Sequence, residues 1–226
     1  MKDEIWDYFQ TRKPSVFKGS GSRFSFLTKN LPKGQRVLNI GAGDGGFERM
    51  ALEKGADVYS LDVSSGTVEF LRKSLNLGKK AVCASADEMP FEKNFFDVVV
   101  MSEVIEHLTR VQMLDSFREV NRVLKPSGFL CGTTPCNEDL REQETVCPNC
   151  AHVFHRWGHK QSFTPESLEK ALLEYFPVVK TKKMLFIPWP ILNWKGKVDA
   201  VAKIVMFRFS LVSDRWLNIY FRAQKS

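Results

Sequence analysis

The sequence lacks long apolar runs and contains few cysteines, and both absences restrict what the chain can be. Residues 184–192 form a short apolar stretch with two prolines, and no run reaches the roughly 18 to 20 residues that cross a bilayer. The first ten residues are charged and aromatic without an apolar signal core, so we expect a cytoplasmic protein. Five cysteines, an odd number, argue against a disulfide framework in a chain without an export signal.

The composition is that of an ordinary globular protein. The 226 residues are 43% hydrophobic and 26% charged, which argues against a disordered or fibrous chain and favours one domain over residues 1–226. Lys and Arg number 33 and Asp and Glu 26, which leaves a net charge of +7. This surplus suits phosphate-bearing partners such as RNA, or an anionic membrane surface, and equally a basic enzyme with neither partner.

Apolar β-branched runs alternate with helical stretches through the first 135 residues. This rhythm predicts an α/β fold with a parallel sheet and crossover helices. The expected strands are residues 36–40, 57–61, 80–84, 96–101 and 128–133, the expected helices are 47–54, 65–75 and 112–123, and a turn is expected at 126–128.

The pattern changes after residue 134. Residues 135–162 are polar and rich in cysteine and histidine, which indicates a small insertion after the fifth strand. A helix is expected over 165–175, with Thr164 as N-cap and Pro165 in its first turn, and strands over 178–187 and 217–222. The intervening 188–213 would form a helical cap, whose amphipathic part over 195–212 packs on the core, closes a pocket or touches a membrane surface.

The run VLNIGAGDGGF at residues 37–47 carries the clearest chemical signal. A strand leads into glycines and then into a helix. Gly41 and Gly43 permit a tight turn and a close approach by a ligand, and the N–H groups of the following helix face the same crevice. Asp62 ends the second strand about twenty residues later, where a carboxylate accepts hydrogen bonds from a ribose diol. A nucleotide-like ligand is therefore expected.

Two cofactors use such a loop. Gly41, Gly43 and Gly46 match the dinucleotide fingerprint, while the spacing from Asn39 to Gly45 also matches the loop that binds S-adenosylmethionine. Two further segments decide between them, ASADEMPF at residues 84–91 and FFDVVVMSEVIEHL at residues 95–108. With these segments the chain resembles the class I S-adenosylmethionine-dependent methyltransferases, especially the small-molecule branch that includes ubiquinone-biosynthesis O-methyltransferases.

The resemblance covers residues 36–134 with specific motifs and extends more loosely to the C-terminus. It implies a Rossmann-like, seven-stranded sheet with the last strand antiparallel and helices on both faces. It also implies that the glycine loop holds the methionine and ribose parts of the cofactor, that Asp62 binds the ribose hydroxyls and that Asp87 binds the adenine amino group. The implied cofactor-binding residues are Asn39, Gly41, Ala42, Gly43, Gly45, Asp62, Val63, Ala86, Asp87, Glu88 and Ser102. Asn39 departs from the family, which usually has an acidic residue there.

Glu103, Glu106 and His107 have the spacing of one helical face. If a helix begins near Ser102, all three side chains lie above the strand ends, where they are either reactive or merely complement the helix dipole. The pattern Glu-x-x-Glu-His resembles the divalent-metal site of ubiquinone O-methyltransferases and small-RNA 2′-O-methyltransferases. His159, in the run GHKQSFTPE at residues 158–166, would be the later histidine of that set. The resemblance implies a metal such as magnesium, or His107 or His159 as a general base.

The insertion contains a second candidate metal site. Cys147, Cys150, His155 and His159 have the spacing Cys-x2-Cys-x4-His-x3-His, which resembles a zinc knuckle and would order a segment that lacks an apolar core. This structural zinc competes with the carboxylate site for His159. If His159 belongs to the carboxylate site, His152 or Cys136 would be the fourth zinc ligand beside Cys147, Cys150 and His155. A loop with reduced thiols and no metal is the alternative.

These observations predict an enzyme that methylates the oxygen of a small-molecule, lipid or sugar acceptor. RNA is less favoured because no pattern typical of an RNA-binding module is present. An NAD-dependent oxidoreductase shares the glycine loop and the acid, and a zinc-stabilised binding module on a non-catalytic methyltransferase fold is a third hypothesis.

Overall fold

The protein is described here by a computed structural model that covers residues 17, 19–29, 31 and 33–226. Within those residues the chain forms nine strands and six α-helices. The strands are β1 (Arg36–Ile40), β2 (Asp57–Asp62), β3 (Ala81–Cys83), β4 (Phe96–Ser102), β5 (Leu124–Pro135), β6 (Glu144–Val146), β7 (Val153–His155), β8 (Val178–Met184) and β9 (Asn218–Gln224). The helices are α1 (Gly21–Thr28), α2 (Gly46–Glu53), α3 (Ser65–Ser74), α4 (Arg110–Val123), α5 (Pro165–Leu173) and α6 (Trp194–Arg208).

Seven strands form one sheet in the order β3-β2-β1-β4-β5-β9-β8. The five strands from β1 to β5 are parallel, and β9 runs antiparallel to both of its neighbours. The predicted α/β class, with a seven-stranded sheet and an antiparallel last strand, is therefore confirmed.

Helices cover both faces of this sheet. Phe47 of α2 and Leu71 of α3 belong to one buried apolar cluster, and Phe117 of α4 and Leu172 of α5 belong to the other. All four side chains are almost fully buried. Because the central strands are covered on both faces, they are nearly continuous apolar runs, as in β4.

Polar caps fix where the helices begin. The predicted N-cap at Thr164 is confirmed, since its hydroxyl accepts a hydrogen bond from the Ser167 N–H and Pro165 occupies the first turn. In the same way Thr109 and Gln112 form a capping box, so α4 begins at Arg110, two residues before the predicted start.

The expected turn at residues 126–128 lies inside β5. Phe96 of β4 is opposite Leu124, whereas Val98 is opposite Phe129, so the strand accommodates extra residues in a bulge. Ser127 has a φ of +62° there. The strand consequently begins four residues before the predicted boundary.

The insertion contains a hairpin that the sequence pattern did not predict. Strands β6 and β7 pair antiparallel, and the turn between them contains Cys147 and Cys150. The helix α1 was also not predicted.

The carboxyl ends of the parallel strands form one edge of the sheet. Because β9 is antiparallel, it begins at this edge, where Asn218 pairs with Pro135 of β5 and with Met184 of β8. Residues 185–217, which include α6, therefore leave and rejoin the sheet at the edge where the predicted functional residues lie.

Candidate active site

The glycine loop connects β1 to α2 and requires glycine for steric reasons. Gly41 and Gly45 have φ values of +79° and +73°. A Cβ atom on Gly41 would lie 2.6 Å from Val104 Cγ2, and one on Gly45 would lie 2.9 Å from Leu71 Cδ2. The loop therefore packs against its neighbours at a distance that only a hydrogen side chain permits.

Asp62 ties this loop to the end of β2. One carboxylate oxygen accepts a hydrogen bond of 2.8 Å from the Ala42 N–H, and the other accepts one of 2.9 Å from the Ser64 N–H. The residue is buried. Val63 is exposed directly beside it. Gly41, Ala42, Gly43, Gly45, Asp62 and Val63 thus lie together, as predicted.

The segment after β3 supplies the remaining polar groups expected at the adenine end. Ala86 is buried, Asp87 is half-buried and Glu88 is exposed. The Ser85 hydroxyl donates a hydrogen bond to the Asp87 carboxylate. Because β1, β2 and β3 are parallel neighbours, these residues follow the glycine loop and Asp62 along one sheet edge, an arrangement that fits a ribose and a purine.

Asn39 has a partner that the sequence pattern did not indicate. Its amide Nδ2 donates a 2.7 Å hydrogen bond to Oε1 of Glu48 in α2, and the Ser60 hydroxyl donates another of 2.7 Å to the same oxygen. Burial raises the pKa of Glu48 from 4.5 to about 7. Its Oε2 atom has no hydrogen-bond partner among the described residues. A carboxyl group is thus present beside Asn39, but it comes from the helix.

The predicted helix that begins near Ser102 is wrong. Glu103 has a φ of +57°, which an α-helix does not accommodate, and its N–H donates to the Thr133 carbonyl. Only a short 3-10 turn, Ile105–His107, precedes α4. Backbone strain of this kind in a non-glycine residue costs on the order of 1 to 3 kcal/mol and is concentrated at functional sites.

The Glu103 carboxylate is held by neighbours from three parts of the chain. Its Oε1 accepts hydrogen bonds from Thr133 Oγ1 at 2.9 Å and from Asn218 Nδ2 at 3.0 Å. Arg23 Nη1 lies 3.7 Å from its Oε2. The Thr133 hydroxyl has one proton, which it donates to Glu103. In the 2.8 Å hydrogen bond between the Ser102 and Thr133 hydroxyls, Ser102 is therefore the donor.

Glu106 is almost fully buried. Its Oε2 accepts a 3.0 Å hydrogen bond from Thr134 Oγ1, and its Oε1 has no hydrogen-bond partner in the described part of the chain. Burial, and then repulsion by Glu103, raises the pKa of Glu106 well above 4.5. For the adjacent His107, burial lowers the pKa to about 3, so this imidazole is neutral at physiological pH.

His159 lies between two other histidines. Its ring centroid is 4.7 Å from that of His107 and 4.6 Å from that of His155. Its Nδ1 is 2.5 Å from Oε2 of Glu138, a residue that the sequence pattern did not single out. A ring nitrogen facing a carboxylate oxygen donates its proton, so the neutral His159 keeps a lone pair on Nε2.

His155 contacts the other oxygen of Glu138. Its Nδ1 accepts hydrogen bonds from the Trp157 and His159 N–H groups, so the proton of the neutral ring is on Nε2. This Nε2 lies 3.5 Å from Glu138 Oε1. Glu138 therefore holds the His159 ring by a hydrogen bond and lies close to the His155 ring, which the backbone N–H groups orient through Nδ1.

Two groups of side chains have metal-ligand atoms within 4.8 Å of one another in the described residues. One contains Glu106, His107 and His159, and the other contains Glu138, His155 and His159. The structure thus brings three of the four predicted catalytic residues together and leaves Glu103 outside, nearer Thr133 and Asn218. It does not bring His155 or His159 into such a group with the cysteines.

Cys147 and Cys150 lie at the tip of the β6–β7 hairpin. Backbone N–H groups of Asn149 and Cys150 lower the pKa of the Cys147 thiol, as expected where a turn stabilises a thiolate. The predicted four-residue zinc site stays a prediction, with two of its ligands preorganised and the two histidines in contact with Glu138.

Two residues of the site, Glu48 and Glu138, were missed by sequence reasoning. Glu138 is separated from its partner His155 by seventeen positions in an irregular segment, so no periodic pattern links them. Glu48 resembles any acid in the first turn of a helix, where a carboxylate complements the helix dipole. Only the expectation that Asn39 needs a buried partner could have pointed to it.

Comparisons with known proteins agree with this geometry. Residues 38–132 match the family model of a methyltransferase domain. The malonyl-(acyl-carrier protein) O-methyltransferase of Legionella pneumophila is 34% identical over 145 residues, which are 62% of this chain and 50% of that protein. The ubiquinone/menaquinone biosynthesis C-methyltransferase of Azotobacter vinelandii is 32% identical over 116 residues, or 48% of this chain and 45% of that protein.

A solved structure extends the likeness to nearly the whole chain. It is the 1,6-didemethyltoxoflavin-N1-methyltransferase of Burkholderia thailandensis with bound S-adenosylhomocysteine, which is 15% identical, with a TM-score of 0.66 over 99% of this chain and 86% of that one. At this identity the likeness shows the fold. The present chain spans about half the length of the two curated relatives. Together the matches confirm the predicted resemblance.

The buried Glu48 predicts an unusual pH dependence of stability. Because its pKa is higher in the folded chain (about 7) than in the unfolded chain (4.5), the folded state binds more protons between these values, and the free energy of unfolding falls as pH rises. Glu48→Gln should reduce this fall in the free energy of unfolding by up to about 3 kcal/mol. Urea unfolding at a series of pH values measures it, and Glu53→Gln, an exposed acid of the same helix, is the control. An unchanged pH slope in Glu48→Gln would contradict the assignment.

Proposed function

We propose that the chain, whose residues 38–132 match the family model of a methyltransferase domain, transfers a methyl group from S-adenosylmethionine to the oxygen of an acceptor. When bound, S-adenosylmethionine supplies an electrophilic methyl group. The chain must bind that cofactor, orient the acceptor and remove a proton from its hydroxyl group.

Cofactor binding is assigned to the edge formed by β1, β2 and β3. The backbone of the glycine loop would lie against the methionine and ribose parts, and the Asp62 carboxylate, which is tied to that loop through Ala42, would bind the ribose hydroxyls. Ala86, Asp87 and Glu88 would surround the adenine, with Val63 against its ring. Asn39 acts indirectly in this proposal, because it holds Glu48 rather than the cofactor.

One observation carries the oxygen assignment, namely the contact between Glu138 and His159. The carboxylate holds Nδ1 of the imidazole, so Nε2 is left to accept a proton from an acceptor hydroxyl. His107 is less suited to this role, since burial lowers its pKa to about 3. The structure therefore favours His159 over His107 as the base, a choice that the sequence left open.

The same side chains also fit a divalent cation. Glu106, His107 and His159 offer one oxygen and two nitrogen ligands, and the Oε1 atom of Glu106 is buried without a hydrogen-bond partner among the described residues. A cation there would lower the pKa of an acceptor hydroxyl. Magnesium prefers more oxygen ligands than this set provides, whereas manganese and zinc accept imidazole readily.

The acceptor class is proposed to be a small molecule, lipid or sugar with a free hydroxyl group. The relatives include an O-methyltransferase and a C-methyltransferase, so the domain alone does not choose the acceptor atom. The choice of oxygen depends on Glu138 and His159, which lie in the insertion, outside residues 38–132. Zinc at Cys147 and Cys150 is proposed as a separate, structural ion that orders the hairpin tip.

Asp62→Ala should abolish cofactor binding. The substitution removes the ribose partner and releases the Ala42 and Ser64 N–H groups, and two lost hydrogen bonds to a charged group weaken binding by about 100-fold or more. Calorimetric titration with S-adenosylhomocysteine measures the affinity. Asp57→Ala, at the opposite end of β2, is the matched control. An unchanged affinity in Asp62→Ala would rule out the cofactor site.

His159→Asn and Glu138→Gln should separate catalysis from cofactor binding. The loss of a general base lowers turnover by about 100-fold to 10,000-fold, and Glu138→Gln should lower it less because the ring remains but is oriented poorly. The assay follows labelled methyl from S-adenosylmethionine into a panel containing a catechol, a phenolic lipid and a glycolipid. Affinity for S-adenosylhomocysteine should stay unchanged in both variants. Label found on carbon or nitrogen instead of oxygen would contradict the proposal.

Glu106→Gln should remove a bound divalent cation that Cys147→Ser retains. The isosteric amide has no charge to offer a cation, while the hairpin cysteines lie outside this group. Equilibrium dialysis against manganese, followed by elemental analysis, measures the occupancy, which should also fall at acidic pH because protons compete for Glu106. In the same analysis with zinc, Cys147→Ser should lose the ion proposed for the hairpin tip. Retention of manganese by Glu106→Gln would place the cation elsewhere.

A further inference from the structure

The connection between β8 and β9 exposes an unusual amount of apolar surface. Of the twenty large apolar side chains that are exposed in the described part of the chain, eleven lie between residues 189 and 216. They are Trp189, Ile191, Trp194, Val198, Val201, Ile204, Val205, Met206, Phe209, Leu211 and Trp216. A contiguous exposed patch of this kind usually marks an interaction site.

The helix α6 turns its apolar stripe away from the protein. Ala200 is its only buried residue, and Gly196, Lys203 and Phe207 on the same side are half-buried. The opposite face carries Trp194, Val198, Val201, Val205 and, directly after the helix, Phe209, at spacings of four, three, four and four residues. Trp194 and Phe209 are 72% and 70% exposed. A helix that only completed a core would have the reverse orientation.

Basic side chains flank this outward stripe. Lys195 lies on one side of it, Lys197 and Arg208 lie on the other, and all three are exposed. The acid of the helix, Asp199, is paired with Lys203 at 2.7 Å. Its counterpart near the end of the connection, Asp214, is paired with Lys183 at 2.7 Å. The charge that the face presents is therefore positive.

Three tryptophans lie on the same connection, and cations contact two of them. Lys203 Nζ is 3.6 Å from the ring centroid of Trp216, and Lys195 Nζ is 5.6 Å from that of Trp194. Trp189 is exposed beside two prolines. Tryptophan and basic residues together are typical of surfaces that lie at the boundary between lipid headgroups and acyl chains.

We propose that this face, the outward stripe of α6 with the exposed apolar residues on either side of it, docks the protein on the surface of an anionic lipid bilayer. Apolar side chains would enter the boundary region, and the nearby Lys and Arg side chains would be attracted to the anionic headgroups. A second copy of the chain is a poorer occupant, because an isologous contact would bring the same cations together. No described helix is long and apolar enough to span a membrane, so the contact is peripheral.

The connection that carries the docking face begins and ends at the sheet edge where the candidate active site lies. Residues 185–217 leave and rejoin the sheet at its carboxyl edge, and Asn218, the first residue of β9, donates a hydrogen bond to Glu103. An acceptor held in the bilayer would thus reach the site from the docked surface. This consequence depends on the proposed function, whereas the docking itself does not.

Vesicle flotation of the full chain tests the proposal. Vesicles of phosphatidylcholine are compared with vesicles that also contain phosphatidylglycerol, and binding should need the anionic lipid and weaken with salt. The double variant Val198→Asp, Val205→Asp should lose binding by about tenfold or more, and Lys195→Glu with Lys197→Glu should lose the preference for anionic lipid. Val111→Asp, which alters an exposed valine at the start of α4, should bind like the parent chain.

Titration with S-adenosylhomocysteine and thermal unfolding establish that each variant is folded, and they keep a failure of docking distinct from a failure of the proposed function. Failure of the parent chain to bind either vesicle, or equal binding by the double variant, would overturn the proposal. Analytical ultracentrifugation supplies the other decisive outcome. A dimer that the double variant abolishes, without vesicle binding, would make the face an interface between copies and would also overturn the membrane assignment.

Discussion

The parallel pairing of β4 with β5 determines where the acids and histidines of the site lie. Ser102 is opposite Thr133 in this register, so the residues that follow β4 lie beside the hydroxyl groups of β5. The Thr133 hydroxyl donates a hydrogen bond to Glu103, and the Thr134 hydroxyl donates one to Glu106. The chain then leaves β5 and soon reaches Glu138, which holds the histidines of the insertion. Thr133 and Thr134 are consecutive and point to opposite faces of the sheet, so a shift of this register by one residue would turn each hydroxyl to the opposite face and separate each carboxylate from its donor.

Two buried carboxyl groups lie on either side of this pairing, and their roles differ. Glu48 is held by two hydrogen bonds from Asn39 and Ser60, so it fastens α2 to the strands that carry the glycine loop. Glu106 accepts one hydrogen bond from a side chain and is repelled by Glu103, and in the proposed function it exchanges a proton for a cation. Burial raises the pKa of both groups, but only the second has histidine ligands beside it.

The fold was largely predictable from sequence, and the candidate site only in part. Strands β1, β2 and β4 are apolar runs bounded by clear turn residues, and the glycine loop with Asp62 is a local signal, so both were found. The Glu103 region was misread as a helix because spacing alone ignores the contact with Thr133, which imposes a left-handed backbone. The contacts of Glu138 with His155 and His159 join positions far apart in an irregular segment. Such contacts leave no periodic trace in the sequence.

The antiparallel last strand links the chemistry to the docking surface. Had β9 run parallel to β5, the connection from β8 would have crossed the sheet and returned at the opposite edge. Because β9 is antiparallel, the connection begins and ends at the carboxyl edge, and Asn218 reaches Glu103 from the same strand that α6 leads into. The connection that carries the apolar stripe of α6 is therefore attached to the sheet at the same edge as the site, and both acids of that connection are paired with lysines. The strand direction of β9 thus puts the ends of the proposed docking segment and the strand ends that carry Glu103 and Asn218 on one side of the sheet.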